Sequence, residues 1–238
     1  VRTALIADIH GNLVSLQAVL DDALRSGIER IVCLGDVAAT GPQPVETIEA
    51  VAALGCDVVM GNADEWLIDP ELEEEEDVDQ DTRRILEIDL WASEQLEPQH
   101  LGLLAGYRPV VELDDLVCFH GTPRSNVETL LATTPEAEVT RMLGSYTQTV
   151  LAGGHTHIAM LRRHGPSLVV NPGSVGMPFE AAADGGAFRN PPWAEYAIAD
   201  GAQVEFRRVP VDVGAVTAAA FASGMPHAGW WVRDWAWS

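Results

Sequence analysis

The chain has few cysteines, few basic residues and no long apolar run. Its three cysteines, Cys33, Cys56 and Cys118, each fall in a short apolar stretch. An odd number with no Cys-x-x-Cys spacing argues against a disulfide framework and against a thiolate metal site. It fits small buried side chains in a reducing compartment. No apolar stretch approaches the roughly 18 residues of a bilayer-spanning helix, so no membrane association is expected. Strand-like sequence starts by Thr3, so the chain as given is not expected to be a secretory precursor, and a cytoplasmic location is expected. Arg and Lys total 14 against 36 Asp and Glu, a formal charge of −22. Such a surface repels phosphate backbones and argues against general nucleic-acid binding. A small phosphate ester can still be held where cations reverse the local sign.

What is present reads as a globular α/β chain: 238 residues, 47% hydrophobic and 21% charged, enough to bury a large core. Apolar runs at 3–7, 30–34 and 57–60 read as buried strands. Helical periodicity at 13–25 and 45–54 joins them, and Gly27 and Gly55 act as stops. This β-α-β-α-β order predicts parallel strands. Residues 70–81 then carry eight Asp and Glu and read as a solvated segment, or more sharply as a negative lid. Helical spacing resumes over 82–105.

The second half reads mostly as strands. Hairpins are signalled at Asp114-Asp115, Gly165-Pro166 and Asp200-Gly201. Short helices are expected near 127–131, 135–144 and 213–222. With no internal repeat and no linker, the expectation is a single domain over 1–238, with an acidic and helical insertion at about 66–106. Four of the seven tryptophans, Trp230, Trp231, Trp235 and Trp237, crowd the C-terminal stretch. They read either as cover for an apolar patch of their own domain or as a homo-oligomer interface.

The chemistry gathers where apolar runs end. Asp8 and His10, Asp36, Asn62, His120, and His155 and His157 each stand just past an apparent strand, where α/β sheets place their ligands. If Asp8–His10 and His155–His157 are extended, residues two apart point the same way and reach one ion. Imidazole and carboxylate without thiolate suit Mn, Fe, Zn, Co or Ni better than Ca or Mg. A carboxylate in the middle of such a set can bridge two cations.

The motifs Asp8-Ile9-His10-Gly11-Asn12, Gly35-Asp36, Gly61-Asn62-Ala63-Asp64, Phe119-His120-Gly121, Gly153-Gly154-His155-Thr156-His157 and Asn171-Pro172-Gly173-Ser174 follow in that order. The set resembles the calcineurin-like metallophosphoesterase superfamily, and within it the small bacterial YfcE-like phosphodiesterases. The resemblance covers about residues 3–209. It implies a four-layered α/β/β/α sandwich of two mixed sheets. It also implies two divalent metal ions, manganese first, with Fe, Zn, Co or Ni as alternatives. One metal would take Asp8, His10, Asp36 and His157, and the other Asp36, Asn62, His120 and His155. The implied reaction is hydrolysis of a small phosphate ester, in the first place a diester, by a metal-bridging hydroxide. A phosphomonoester or a dinucleoside polyphosphate is the alternative substrate, and a non-catalytic binding scaffold the alternative class.

Many members of the family carry a His after the Asn, where this chain has Ala63. The obvious general acid is therefore missing, and Asn62 is left as the candidate catalytic residue. Asp64 is expected to cap the following helix. Arg124 and Asn12 are candidates for substrate binding, with Asn12 alternatively orienting the Asp8 loop. Asn171–Ser174 is expected to shape the loop behind the site, and His100, His164 and His227 to be surface or structural residues.

Overall fold

The computed structural model describes residues 1–70, 78–181 and 188–235. In chain order the first half contains β1 (Thr3–Ile6), α1 (Leu13–Arg25), β2 (Arg30–Cys33), α2 (Pro44–Leu54) and β3 (Asp57–Val58), then α3 (Asn62–Ile68), α4 (Gln80–Glu94) and α5 (Pro98–Leu104). β4 (Val111–Glu112), β5 (Leu116–Cys118), α6 (Glu136–Leu143), β6 (Val150–Ala152), β7 (Met160–His164) and β8 (Ser167–Asn171) follow. The last part holds β9 (Glu180–Ala181), β10 (Phe188–Arg189), β11 (Trp193–Asp200), β12 (Gln203–Pro210), α7 (Val213–Ser223) and α8 (Ala228–Trp231), with a 3-10 turn to Trp235.

The strands make two mixed five-stranded sheets, ordered β12-β11-β1-β2-β3 and β4-β5-β6-β8-β7, beside the small pair β9-β10. β1, β2 and β3 are parallel, and so are β5, β6 and β8. Antiparallel strands flank each parallel trio: β11 and β12 on one sheet, β4 and β7 on the two edges of the other.

Alternation along the strands accounts for the layers. Leu5, Val32 and Ala197 pack with Leu116, Cys118, Val150 and Val170 in a core between the two sheets. Ala4, Ile6 and Cys33 face the other way, into the largest cluster, where α1 contributes Leu16 and Val19 and α2 contributes Ile48 and Val51. On the outer face of the second sheet Val117, Leu151 and Val169 meet Val139 and Leu143 of α6. The result is the expected α/β/β/α sandwich.

Several local expectations shift. The helical stretch 82–105 is broken into α4 and α5, because Pro98 starts a new helix and supplies no amide to continue the old one. Residues 127–131 run as turn and coil. β3 ends at Val58, and Val59, which still donates to Cys33 O at 2.8 Å, also bridges Arg108. Of the acidic stretch, residues 71–77 lie outside the described residues, while Asp79 caps α4 through the Asp81 and Thr82 amides. Ile88, Ala92 and Leu104 of α4 and α5 belong to the largest core cluster. Among the described residues, no helix is long and apolar enough to cross a membrane.

The C-terminal tryptophans divide. Trp231 and Trp235 are buried in the largest core cluster, with ring centroids 6.0 Å apart. Trp230 is partly buried against that cluster, and Trp237 lies outside the described residues. Trp235→Ala should therefore lower the stability of the isolated chain by about 3–5 kcal/mol. Denaturant unfolding at low protein concentration measures this. A loss of stability that appears only at concentrations favouring association would assign Trp235 to an interface instead.

Candidate metal centre

Both parallel trios end at the same edge of the sandwich. Asp8, Asp36 and Asn62 follow β1, β2 and β3, and His120, His155 and His157 follow β5 and β6. Asp8, His10 and His157 bring three ligand atoms within 4.8 Å of one another, and Asp36, His120 and His155 do the same. Asp36 Oδ2 sits between the groups, 3.7 Å from His10 Nε2 and 3.3 Å from His120 Nε2. Asn62 Oδ1 lies 3.1 Å from His120 Nε2. All seven residues singled out as ligands in the sequence are thus near one another.

The backbone reaches this arrangement differently from the expected extended alternation. Asp8, His10, Asp36, His155 and His157 all have left-handed backbone, with φ between 48° and 70°. Non-glycine residues seldom adopt it, and each such residue costs of order 1–3 kcal/mol. The loops tolerate it because they hold one another. Ile9 and His10 both donate their amides to Asp36 O, at 2.8 and 3.0 Å, and Gly11 donates to Val37 O at 2.9 Å.

The rings are aimed by backbone carbonyls. His10 Nδ1 donates to Ala39 O at 3.0 Å, His120 Nδ1 to Leu34 O at 2.7 Å and His157 Nδ1 to Met177 O at 2.7 Å. The His155 ring hydrogen-bonds the backbone of Val127. A carbonyl only accepts, so in His10, His120 and His157 the proton sits on Nδ1 and Nε2 faces the site, the orientation seen in metal-ligating histidines. His10 Nε2 and His157 Nε2 then face each other at 3.0 Å. Two lone pairs at that distance repel unless a cation or a proton lies between them.

Electrostatics point the same way. Burial pushes the Asp8 carboxyl up to about 8, and its Oδ2 is buried with no hydrogen-bond partner. Burial also pushes Asp36 upward, but His120 and His10 outweigh it and hold this carboxyl well below the usual range. Burial lowers His120, yet Asp36 raises it more, to about 10. His157 is pushed down by burial to about 3. A buried set with an orphan carboxylate oxygen and converging imidazole nitrogens is chemically suited to divalent cations.

One residue does more than expected. Asp64 is completely buried, and its carboxylate accepts from three amides: Asp36 N at 2.7 Å, Val37 N at 2.8 Å and Gly61 N at 3.2 Å. It caps α3, as anticipated, and also ties the Asp36 turn to that helix. Gly61 permits the approach, since a Cβ there would fall 2.1 Å from Asp36 Oδ1. Asp36 Oδ1 in turn accepts from Ala63 N at 2.9 Å.

Ser174 Oγ donates to Asp8 O at 2.7 Å, and Asn171 Nδ2 donates to Gly154 O at 2.6 Å, so the Asn171–Ser174 segment does shape the loops behind the site. Asn12 caps α1 by accepting from Ser15 N at 3.1 Å, and donates to Gly176 O at 3.0 Å. Its amide thus serves the loops. Arg124 is exposed and pairs through both sides of its guanidinium with Glu128. His100 is buried and accepts from Glu97 N at 3.0 Å, while His164 and His227 pair with Glu136 and Glu87. Phe179 escaped the sequence reading. Its ring stacks on His157 with centroids 4.5 Å apart and stays 38% exposed. A lone aromatic beside a Gly- and Ala-rich stretch carries no periodic signal.

Residues 1–188 match the family model described as the calcineurin-like phosphoesterase superfamily domain. The chain belongs to that superfamily. Among solved structures, a metallophosphoesterase from Sphaerobacter thermophilus is 26% identical, with 98% of each chain covered and a TM-score of 0.78. A hypothetical protein from Pyrococcus horikoshii OT3 shares the fold at 19% identity, with a TM-score of 0.76 over 95% of this chain and 94% of that one. An uncharacterized protein of Methanocaldococcus jannaschii is 48% identical over 61 residues, 26% of this chain and a quarter of that protein's length. Within the calcineurin-like phosphoesterases, the two groups at the strand ends are this chain's candidate metal-binding residues.

Asp64→Ala would leave three buried amides without their acceptor, at about 1–3 kcal/mol for each donor left unsatisfied. We expect stability to fall by roughly 3 kcal/mol or more in urea unfolding. A change below about 1 kcal/mol would mean that the Asp36 turn is held by its other contacts.

Proposed function

We propose that this chain is a divalent-metal-dependent phosphodiesterase acting on a small phosphate ester. The observation that carries the reading is the position of Asp36 Oδ2 between the two groups of candidate ligands. In this reading Asp8, His10 and His157 would hold one cation, His120, His155 and Asn62 would hold the other, and Asp36 would serve both. The orphan Asp8 Oδ2 and the carbonyl-aimed imidazoles support the assignment. The donor set is nitrogen and oxygen without sulfur, and manganese is our first choice, ahead of Fe, Zn, Co or Ni. Bound cations supply Lewis acidity and a water of lowered pKa.

The chain's own residues then have separable tasks. Asp64 and the carbonyls of Leu34, Ala39 and Met177 keep the ligands in place. Asn62 can offer its amide N–H groups to a substrate oxygen while its Oδ1 faces the site. No imidazole stands at position 63, and Asp64 is fully occupied by backbone amides. The leaving group therefore departs without a positioned acid, and its own acidity sets the rate. Aryl diesters should be good substrates and alkyl phosphates poor ones. The intact ligand set weighs against a purely structural scaffold.

Two measurements test this reading. Asp36→Asn should lower bound metal and turnover more than either His10→Ala or His155→Ala, because one change weakens both sites. Two metals retained with near-native turnover would remove Asp36 from the bridge. In the second, log kcat/KM should fall steeply with leaving-group pKa across a series of aryl diesters. Ala63→His should flatten that slope, since a positioned acid contributes about 10²–10⁴-fold for poor leaving groups. A shallow slope in the native protein, with chemistry rate-limiting, would show that another group already delivers the proton.

A further inference from the structure

Thr40 is unusual for a residue that is not among the candidate ligands. It is buried, β-branched and left-handed, with φ at 68°, a conformation that β-branched residues avoid. Two distant elements hold it. From α4, Asp89 Oδ1 accepts from Thr40 Oγ1 at 2.9 Å, and the same carboxyl accepts the Thr40 backbone N–H. From the C-terminal α8, Trp231 Nε1 donates to Thr40 O at 2.7 Å. On the next residue, a Cβ on Gly41 would fall 1.7 Å from the His10 carbonyl oxygen, so the segment lies directly against the His10 loop.

The Ala39–Thr40 peptide links these contacts to the site. Its N–H is taken by Asp89, and its carbonyl, Ala39 O, accepts from His10 Nδ1 at 3.0 Å. In a planar trans peptide the N–H and C=O point in opposite directions. Holding the N–H therefore aims the carbonyl. We infer that Thr40, clamped between Asp89 and Trp231, is a positioning residue that fixes the ring and tautomer of His10 for metal binding. The inference rests on the metal-centre reading above. It gives the helical insertion and the C-terminal tryptophan segment a task at a site neither of them lines.

Asp89 is half-buried, and desolvation pushes its carboxyl up to about 7. A carboxyl so placed is poorly explained by stability alone. Asp89→Leu removes the acceptor and keeps a similar volume, and Asp89→Asn keeps one acceptor. Trp231→Phe removes a single N–H. Two properties are read on the full-length protein: Mn2+ affinity by competition titration, and the His10 Nδ1–H signal by NMR of metal-free protein with labelled histidine.

Asp89→Leu should weaken Mn2+ binding by about 10–100-fold, as loss of outer-layer partners of ligating histidines typically does. It should also abolish the protected Nδ1–H signal, while the thermal midpoint stays level or rises. Asp89→Asn should keep most of both properties. Should Asp89→Leu not fold, Trp231→Phe is read in the same way, with a smaller loss of affinity and faster exchange of the Nδ1–H. Unchanged affinity and unchanged signal in the folded variants would overturn the inference. So would losses of affinity that merely track loss of stability. If the native protein binds no Mn2+, the metal-centre reading fails, and the NMR signal alone decides whether the clamp sets the His10 tautomer.

Discussion

The Asp8 and Asp36 loops cross through four backbone hydrogen bonds centred on one peptide oxygen. Asp36 O accepts from both Ile9 N and His10 N, so neither loop can move without the other. Left-handed backbone at Asp8, His10 and Asp36 follows from that crossing, because each loop must turn sharply to bring its side chain back over the strand ends. The strain is local and the restraint is distributed. Asp64 holds the Asp36 turn from α3, Ser174 holds Asp8 O from behind, and Val175 and Gly176 donate to Ala7 O and Asp8 O. A cluster this rigid favours one coordination geometry over many, which suits a site that must hold charge in a fixed place.

That rigidity confronts a charge problem. Asp8, Asp36 and Asp64 are all essentially buried in a small volume. Like charges in a poorly solvated interior repel, which is one reason that Asp8 and Asp64 are pushed up to about 8 and about 7, behind burial as the main cause. His120, raised to about 10 beside Asp36, answers part of that negative charge. Divalent cations held by the candidate ligands would answer it more fully. The acidic surface is consistent with this arrangement. In the proposed reading, with Arg124 paired to Glu128, cations rather than this basic side chain would attract a phosphate.

How much of this could be read from the chain depends on the range of the contact. The residues that gather at the strand ends were legible because parallel strands end at one edge, so an apolar run followed by Asp or His is itself a positional statement. The hairpins at Asp114-Asp115 and Gly165-Pro166 were equally plain, since turn chemistry is local. The extended spacing of Asp8 with His10, and of His155 with His157, did not survive, because tertiary hydrogen bonds override the strand period where the strand ends. Asp64 looked like a helix cap and is one. Its second task depends on amides 27 and 28 residues away, which no local pattern reports. Thr40 and Trp231 are 191 residues apart and invisible to any window.

The part of the chain beyond the family match illustrates the same limit from the other side. The match ends at residue 188, yet β11 pairs along β1 and β12 closes outside it. Without that hairpin, β1 would be an exposed sheet edge immediately before the Asp8 loop, with unpaired backbone groups inviting association. Ala197 and Ala199 fill the inter-sheet core, while Tyr196 and Ile198 face α1, where Tyr196 Oη donates to Asp22 Oδ2 at 2.8 Å. The small residues on one face let the two sheets approach, and the large ones on the other lock α1 above β1. Because α1 is capped by Asn12, directly after the His10 loop, a hairpin far down the chain sets the position from which that loop must close.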